Sequence, residues 1–262
     1  MNAANAKMNP KTNCADRRVN GHDANVCTMP SLGLAVHRSL RSGRTGQTLL
    51  IATVYRHSHA SAIIALGDGL RLPWGRRSLG THTLTSSSVY FDNVRIEPEE
   101  IIGTEHMAWV ELWDVLNTER LVTSAAAIGS ARLALRLGVD YTSQRKVFGD
   151  VPIAAYQGVQ FPFAEAHAML SCAREMNFKA AWLCDERRNY GSEANTAKYL
   201  AVEALAKATE RSMHSMGGMG FSREMHVERL WRDARLSQFA PVPQEMALNF
   251  LAEHVLGLPR SY

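Results

Sequence analysis

The chain has 262 residues and a hydrophobic content of 46%, enough for one large or two small domains with a sizeable core. Its formal net charge of +4 does not indicate a nucleic-acid partner. Residues 1–50 hold seven Lys/Arg against two Asp/Glu, and the remainder is close to neutral. No apolar run approaches the roughly 18 residues of a membrane span, so no membrane span is expected.

The N-terminal part of the chain carries Asn, Ala, Ser, Arg and Gly without a sustained apolar period. We therefore expect residues 1–48 to be a largely disordered tail. Met1–Pro10 has no apolar signal-peptide core, so secretion is not indicated. The four cysteines show neither a CxxC pair nor metal-ligand spacing and are predicted to be free thiols in a reducing compartment, the cytoplasm: Cys14, Cys27, Cys172 and Cys184. No metal site is predicted.

Short strand-like runs follow, and residues 49–104 are predicted to form a partial β-domain. Leu49–Tyr55 and Ser61–Leu66 are strand candidates, and the second is ended by the turn signal Gly67-Asp68-Gly69. Leu84–Ile96 alternates polar and apolar residues in the same way. A few strands of this kind do not form a stable sheet alone.

The remaining residues, 105–262, are predicted to form a helical bundle domain. Apolar side chains at i, i+3, i+4 and i+7 mark the first helix: Trp109, Leu112, Trp113 and Leu116. The predicted helices run from about His106 to Ser143, Ala154 to Glu186 with a bend at Pro162, Ser192 to Met216, Val227 to Arg232 and Pro243 to Leu256. Long antiparallel helices with short loops indicate a four-helix bundle, so the fold class is α+β, mainly α.

Two segments have residue types suited to a phosphate or a cofactor. Arg145 follows the first helix, where its guanidinium could pair with a pyrophosphate and the neighbouring Phe148 could cover a flat ring. Gly217-Gly218-Met219-Gly220 would let backbone N–H groups approach a ligand closely. Each signal is weak alone, because an exposed Arg-Lys pair is usually solvated and glycines after a helix usually cap it.

Further motifs raise the specificity of these two segments. In chain order they are 74–80 (WGRRSLG), 89–96 (VYFDNVRI), 117–120 (NTER), 144–149 (QRKVFG), 217–221 (GGMGF) and 256–260 (LGLPR). From about Leu70 to Tyr262 the chain resembles the C-terminal part of an acyl-CoA dehydrogenase. The resemblance implies an FAD-dependent enzyme of fatty acid catabolism that dehydrogenates an acyl-CoA substrate. It also implies electron-transfer flavoprotein as electron acceptor and a homo- or hetero-oligomer arranged as a dimer of dimers.

The resemblance also implies a set of site residues. Those near FAD would be Arg145, Phe148, Gln157, His214, Gly217, Gly218 and Gly220. Arg145 and Phe148 would reach the FAD of an adjacent subunit, and Gln157 would lie near its adenosine part although its spacing from Arg145 is one residue longer than usual. His214 takes the place of a common glutamine, and the glycines would form a flavin-contacting loop. Asn117 and Arg120 would lie by the thioester and CoA end of the substrate.

The catalytic base is the least regular part of the resemblance. Most members carry a glutamate where this chain has Pro241, which cannot take a proton. A minority of members carry the base on the first bundle helix, at the position of Glu119, so Glu119 is the predicted catalytic base; the alternative is an ordinary ion-paired helix carboxylate. Proline also lacks the N–H that stabilises the thioester enolate, so this site is weakened unless Val242 substitutes by a one-residue shift.

Half of the family's site has no recognisable counterpart in the sequence. We find no N-terminal helical domain, no Thr-Glu-Pro-Gly type flavin loop and no Trp-Ile-Thr type strand, so the chain is predicted to be partial. Two functions stay open: an acyl-CoA dehydrogenase with Glu119 as base, or a non-catalytic fragment or structural subunit that lends Arg145 to a partner's flavin. Acyl-chain specificity is not predicted.

Overall fold

Short strands precede the helices. The structure, a computed structural model, describes the backbone of residues 40–41, 48–54, 60–65, 70–71, 77–83, 90–91, 101–102 and 108–260, and the side chains of residues 77–83 and 115–260. The strands are β1 Leu40–Arg41, β2 Thr48–Val54, β3 Ala60–Ala65, β4 Leu70–Arg71, β5 Tyr90–Phe91 and β6 Ile101–Ile102. An antiparallel sheet has the order β1-β2-β3-β6, and β4 pairs with β5.

The two longest strands agree with the sequence prediction. β2 and β3 lie within one residue of the predicted Leu49–Tyr55 and Ser61–Leu66, and they pair from Leu49 opposite Ala65 to Val54 opposite Ala60. Only β5 of the predicted run Leu84–Ile96 belongs to the described residues. β1 and Thr48 are the described parts of segment 1–48, and the rest of it lies outside the described residues, so the disordered tail stays a prediction.

Helices dominate the range from residue 108 to residue 260. The three long ones are α1 Ala108–Gln144, α2 Gln157–Asp185 and α3 Gly191–Met216. The shorter ones are α4 Gly218–Phe221, α5 His226–Ala234, α6 Leu236–Phe239 and α7 Gln244–His254. The predicted bounds of the long helices are correct to within three residues, and the predicted stop of α3 is confirmed by Gly217 with φ +60°. The expected class, mainly helical with a bundle, is confirmed, and the short helices α5 and α7 pack against α3. Among the helices that the structure describes, none is long and apolar enough to cross a membrane.

The core forms around α3, which packs against α1, α2, α5 and α7. Alanines with no exposed surface line the contacts between the long helices: Ala131, Ala134, Ala166, Ala173, Ala201, Ala204 and Ala208. Because an alanine side chain is a single methyl group, these helices approach closely, and larger side chains such as Phe163 and Leu205 fill the remaining space.

Contacts at both ends of the long helices fix their relative direction. Near the end of α1, a methyl group on Gly138 would lie 2.6 Å from Ser212 Oγ of α3, and that hydroxyl donates to the carbonyl of Ala134 at 2.8 Å. Near the start of α1, the hydroxyls of Thr118 and Tyr190, the residue before α3, lie 3.0 Å apart. Helices α1 and α3 are therefore parallel, and α2 returns the chain between them.

Residues 77–83, which lie between β4 and β5 in the chain, pack against α5 of the bundle. The backbone N–H of Thr81 donates to Asp233 Oδ1 at 2.5 Å, and Arg232 donates to the carbonyl of Leu79 at 2.9 Å. A methyl group on the buried Gly80 would lie 2.6 Å from Asp233 Oδ1 and 2.8 Å from the Arg232 backbone. Only a glycine allows this approach, which brings residues 77–80, the described part of the WGRRSLG segment, onto the helix that carries Arg232 and Asp233.

Candidate functional site

The predicted substrate and base residues lie near the start of α1. Asn117 and Glu119 are half-buried, and Arg120 is 1% exposed. A guanidinium nitrogen of Arg120 donates to Asn117 Oδ1 at 2.7 Å. Burial lowers the pKa of Arg120 to about 10, and the charges of Glu119 and Tyr190 offset part of this shift. Arg120 therefore stays charged at neutral pH and holds Asn117 one helical turn earlier.

A second buried cation, Lys198 of α3, is close enough to Arg120 for the two charges to repel each other. The Lys198 side chain is fully buried, and its ammonium donates to the backbone carbonyl of Ser237 in α6 at 2.5 Å. Burial lowers the pKa of Lys198 to about 8; repulsion by Arg120 adds to the shift and Glu245 partly offsets it. Three elements, α1, α3 and α6, thus meet at a positively charged cluster. We call the end of the bundle with Asn117, Glu119, Arg120 and Lys198 the Glu119 end.

Residues 240–243, between α6 and α7, are the segment where the resemblance places the usual catalytic glutamate. Pro241 has neither a carboxylate nor an N–H, as the sequence indicates. Val242 is 4% exposed, and within the described residues its N–H donates no hydrogen bond. This segment therefore supplies one N–H donor, at Val242, and no proton acceptor of its own at position 241.

The predicted Arg145 site lies on a short hairpin between α1 and α2. Its strands are β7 Lys146–Val147 and β8 Val151–Pro152, and an ion pair of 2.6 Å between Lys146 and Asp150 links them across the turn. Arg145 is exposed, and Phe148 at the turn is 95% exposed with φ +51°. This exposure leaves the Phe148 ring accessible to a contact outside the chain.

The glycine segment after α3 divides into two kinds of position. Around Gly217 and Gly218, an added methyl group would meet nothing within 4 Å, so a ligand has room to approach their backbone. Gly220 is buried, and a methyl group there would collide with the backbone of Met213, so packing alone explains this glycine. His214 in the last turn of α3 is exposed, as is Gln157 at the start of α2.

The candidate residues form two groups at opposite ends of the bundle. Glu119 and Gln144 are separated by 25 positions of one continuous helix, which corresponds to about 37 Å at 1.5 Å per residue. The end of α1, the start of α2 and the end of α3 lie together, so the second group comprises Arg145, Phe148, Gln157, His214 and Gly217 to Gly220. We call it the Arg145 end. The two groups of one chain therefore cannot both contact the same ligand atom.

The Arg145 end fits one part of a bound FAD. It offers an exposed guanidinium for a pyrophosphate, an exposed aromatic ring for a flat ring system, and an open glycine backbone at Gly217 and Gly218. The described residues contain no cluster of three His, Cys, Asp or Glu side chains suited to a metal ion. Cys172 and Cys184 are free thiols.

Comparison with known proteins identifies the family. A family model described as "Acyl-CoA dehydrogenase, C-terminal domain" matches residues 110–256, more than half of the chain. The chain belongs to the acyl-CoA dehydrogenase family. The matched region spans nearly all of the helical bundle, including both the Glu119 end and the Arg145 end.

Individual family members match over a similar region. The acyl-CoA dehydrogenase FadE12 of Mycobacterium tuberculosis is 42% identical over 176 residues, which cover 66% of this chain and 45% of that protein. Short-chain specific acyl-CoA dehydrogenase from Bos taurus is 32% identical over 74% of this chain and 47% of its own length. An acyl-CoA dehydrogenase of Bacillus subtilis is 34% identical over 77% of this chain and 53% of its own. The chain thus spans about half the length of the curated relatives it matches.

Solved structures of the family superpose on the same fold. Butyryl-CoA dehydrogenase from Megasphaera elsdenii gives a TM-score of 0.73 with 24% identity, covering 82% of this chain and 62% of that one. A glutaryl-coenzyme A dehydrogenase in complex with glutaryl-CoA gives a TM-score of 0.73 with 26% identity, covering 83% and 61%. This acyl-CoA dehydrogenase family member therefore shares its fold with both dehydrogenases over about four fifths of the chain.

The contacts of two residues of structural importance, Lys198 and Asp233, were not predicted from the sequence. Lys198 lies on the buried face of α3, four positions after Ala194 and three before Ala201, both fully buried. A lysine within an otherwise apolar helical stripe is a signal that the spacing alone provides. Asp233, which receives the Thr81 N–H, carries no comparable signal, because its partner lies 152 residues away in the chain.

Proposed function

We propose that this chain belongs to an enzyme that dehydrogenates the Cα–Cβ bond of an acyl-CoA, with Glu119 as the catalytic base. Family membership supports the reaction class, and the half-buried carboxylate of Glu119 beside the buried charge of Arg120 supports the assignment of the base. The single observation that carries the assignment is that the alternative position is Pro241, which cannot accept a proton.

The residues of the Glu119 end divide the chemistry among them. Glu119 would take the proton from the α-carbon, and FAD, when bound, would accept the hydride from the β-carbon. The Val242 N–H would donate to the thioester oxygen as negative charge develops there, because it makes no hydrogen bond within the described residues. Arg120, being buried, would act by holding Asn117 rather than by meeting the CoA itself, and Asn117 would face the substrate through its amide nitrogen.

The Arg145 end would serve the flavin of a second subunit. At about 37 Å along α1 from Glu119, Arg145 and Phe148 lie too far away for the site that Glu119 serves. We propose that Arg145 pairs with the FAD pyrophosphate of a neighbouring subunit, that Phe148 covers part of the same cofactor, and that Gln157 lies near its adenosine. His214, Gly217 and Gly218 would contact that cofactor from the end of α3, and Gly220 would let their segment pack on α3.

The remaining partners follow from the same proposal. The enzyme would be a homo- or hetero-oligomer, a dimer of dimers, acting in the cytoplasm on an acyl-CoA. It would pass electrons to an electron-transfer flavoprotein. Two solved structures that share the fold carry related descriptions. One is described as the electron transferring flavoprotein of Acidaminococcus fermentans, with a TM-score of 0.74, and the other as PigA with FAD and proline, with a TM-score of 0.73.

The test is anaerobic bleaching of the flavin by a panel of acyl-CoA substrates. Glu119→Gln keeps the size of the side chain and removes the base, so the rate of flavin reduction should fall by about 10²–10⁴-fold. The matched control is Glu193→Gln in the first turn of α3, whose exposed partner is Lys179 at 3.0 Å, and it should bleach at the wild-type rate. If Glu119→Gln bleached the flavin at the wild-type rate, Glu119 would be an ordinary helix carboxylate and not the base.

A structural subunit is the second candidate, and the separation of the two ends favours it. The Arg145 end contains no residue of the Glu119 end, so it could complete a partner's flavin site without any catalysis by this chain. This candidate predicts that Phe148→Ala lowers FAD retention by a partner subunit, while Glu119→Gln leaves all activity unchanged. Flavin content after co-purification with the partner measures the first effect.

A further inference from the structure

A charged lysine at position 198 is energetically unfavourable in the interior of the bundle. Its side chain has no exposed surface, and the group facing it from α1 is another cation, Arg120. From α7 only Glu245 offsets the charge, and Glu245 is exposed. An uncompensated buried charge lowers stability, and a methionine of similar volume would avoid that cost. A hydrogen bond to the backbone is therefore what lysine offers at this position and methionine does not.

That contact is one of two attachments between α3 and a single segment. The Lys198 ammonium donates to the Ser237 carbonyl at 2.5 Å, and five positions later on α3 Glu203 Oε1 accepts from Gln244 Nε2 at 2.9 Å. These attachments lie at the two ends of residues 237–244, which we call the strap. Between them lie Pro241 and the buried Val242.

We propose that Lys198 is a positioning residue that holds the strap at the Glu119 end, so that the Val242 N–H stays at a fixed place beside the base. The inference rests on the proposed function, because the strap matters to the reaction only if the acyl-CoA reacts at this end. Lys198 acts through the backbone of Ser237 and does not touch the substrate. The ammonium is required because a charged donor makes a stronger hydrogen bond to a carbonyl than a neutral one.

A methionine at position 198 separates positioning from ordinary structural support. Lys198→Met removes a buried charge and keeps most of the volume, so the midpoint of urea unfolding of the full chain should stay the same or rise. The strap loses its first attachment, so hydrogen–deuterium exchange in peptides covering residues 236–246 should be roughly 10- to 100-fold faster. The matched control is Thr209→Val on α3, since the buried Thr209 hydroxyl bonds only to carbonyls of its own helix and does not reach the strap.

The two measurements decide the structural part of the inference without any cofactor. Faster strap exchange with an unchanged or raised unfolding midpoint supports it. Unchanged strap exchange overturns it, and so does a loss of protection spread over α1, α2 and α3 with a lowered midpoint, because Lys198 would then be a general support of the core.

The pH dependence provides a readout that a merely space-filling role would not change. The pKa of Lys198 is lowered to about 8, so between pH 7 and pH 9.5 the wild-type strap should loosen as the ammonium loses its proton. After correction for intrinsic exchange, the ratio of variant to wild-type rates should fall toward one. A ratio that stays constant across this range contradicts a role for the charge.

Flavin reduction tests the link to the reaction. If wild type is reduced by an acyl-CoA, Lys198→Met should be reduced measurably more slowly at saturating substrate, by up to about tenfold, whereas Thr209→Val should match wild type. A loosened strap with a wild-type rate overturns the positioning role while the proposed function stands. A wild type that no acyl-CoA reduces rejects the proposed function instead, and strap exchange still decides whether Lys198 holds the strap.

Discussion

The close approach of α1 to α3 at Gly138 provides a quantitative test of the bundle. A methyl group at Gly138 would lie 2.6 Å from Ser212 Oγ and 2.9 Å from both Ser212 Cβ and the Phe163 ring. Carbon atoms in contact prefer about 3.5–4.0 Å, so Gly138→Ala would require the helices to move apart, at a cost of about 1–3 kcal/mol. Gly129 on the same helix provides the control, because a methyl group there meets nothing within 4 Å.

Both substitutions replace a helical glycine by alanine and so gain about 0.5–1 kcal/mol of helix propensity and reduced chain entropy. Gly129→Ala should therefore raise the free energy of unfolding by that amount. Gly138→Ala should be about 1–3 kcal/mol less stable than Gly129→Ala, because only it disturbs the contact with Ser212. Urea unfolding with an unchanged m-value measures the difference as a shift in midpoint. Equal midpoints for the two variants would mean that α1 and α3 do not meet at Gly138.

Three further predictions concern other contacts. Asp233→Asn should weaken the hold on residues 77–83, which limited trypsin digestion would detect as faster cleavage there with an intact bundle; an unchanged cleavage rate would contradict the contact. Gly220→Ala should lower the unfolding free energy by more than about 1 kcal/mol while Gly218→Ala leaves it unchanged, as measured by thermal unfolding, and the reverse order would refute the packing assignment. The pKa of Lys198 is about 8 in the folded chain and about 10.4 in the unfolded chain. Between about pH 8 and about pH 10.4 the Lys198 amine is therefore mostly protonated in the unfolded chain and mostly deprotonated in the folded chain. Wild-type stability relative to Lys198→Met should therefore rise with pH across that window, by at most about 1.4 kcal/mol per pH unit, and a flat difference would contradict the burial of the charge.

Sequence periodicity predicted the long helices because each buries a stripe over many turns. α3 ends where the glycines require it, and α2 runs through Pro162 without interruption. The helices α4 and α6 have four residues each, too few to establish a period, and neither was predicted. The bend predicted at Pro162 remains a prediction.

The candidate residues were predicted more completely than their arrangement. Glu119 and Arg145 were placed on and just after one long helix, and the length of that helix already implies their separation. The burial of Arg120 and the contact of Lys198 with Ser237 depend on how α1, α3 and α6 pack, which a single sequence does not specify. Gly220 is the clearest case of ambiguity: its residue type fits both a ligand loop and a close backbone contact, and only coordinates distinguish the two.

The opposite placement of the two ends has a genetic consequence. If each active centre takes Glu119 from one subunit and Phe148 from its neighbour, a chain with Glu119→Gln and a chain with Phe148→Ala are defective in different halves of a shared centre. In a mixed pair, one centre combines both lesions and the other combines neither. Two inactive alleles expressed together would then restore about a quarter of the centres by random pairing. Recessive lesions in such a protein would sort into two complementing classes according to the end of α1 that they affect.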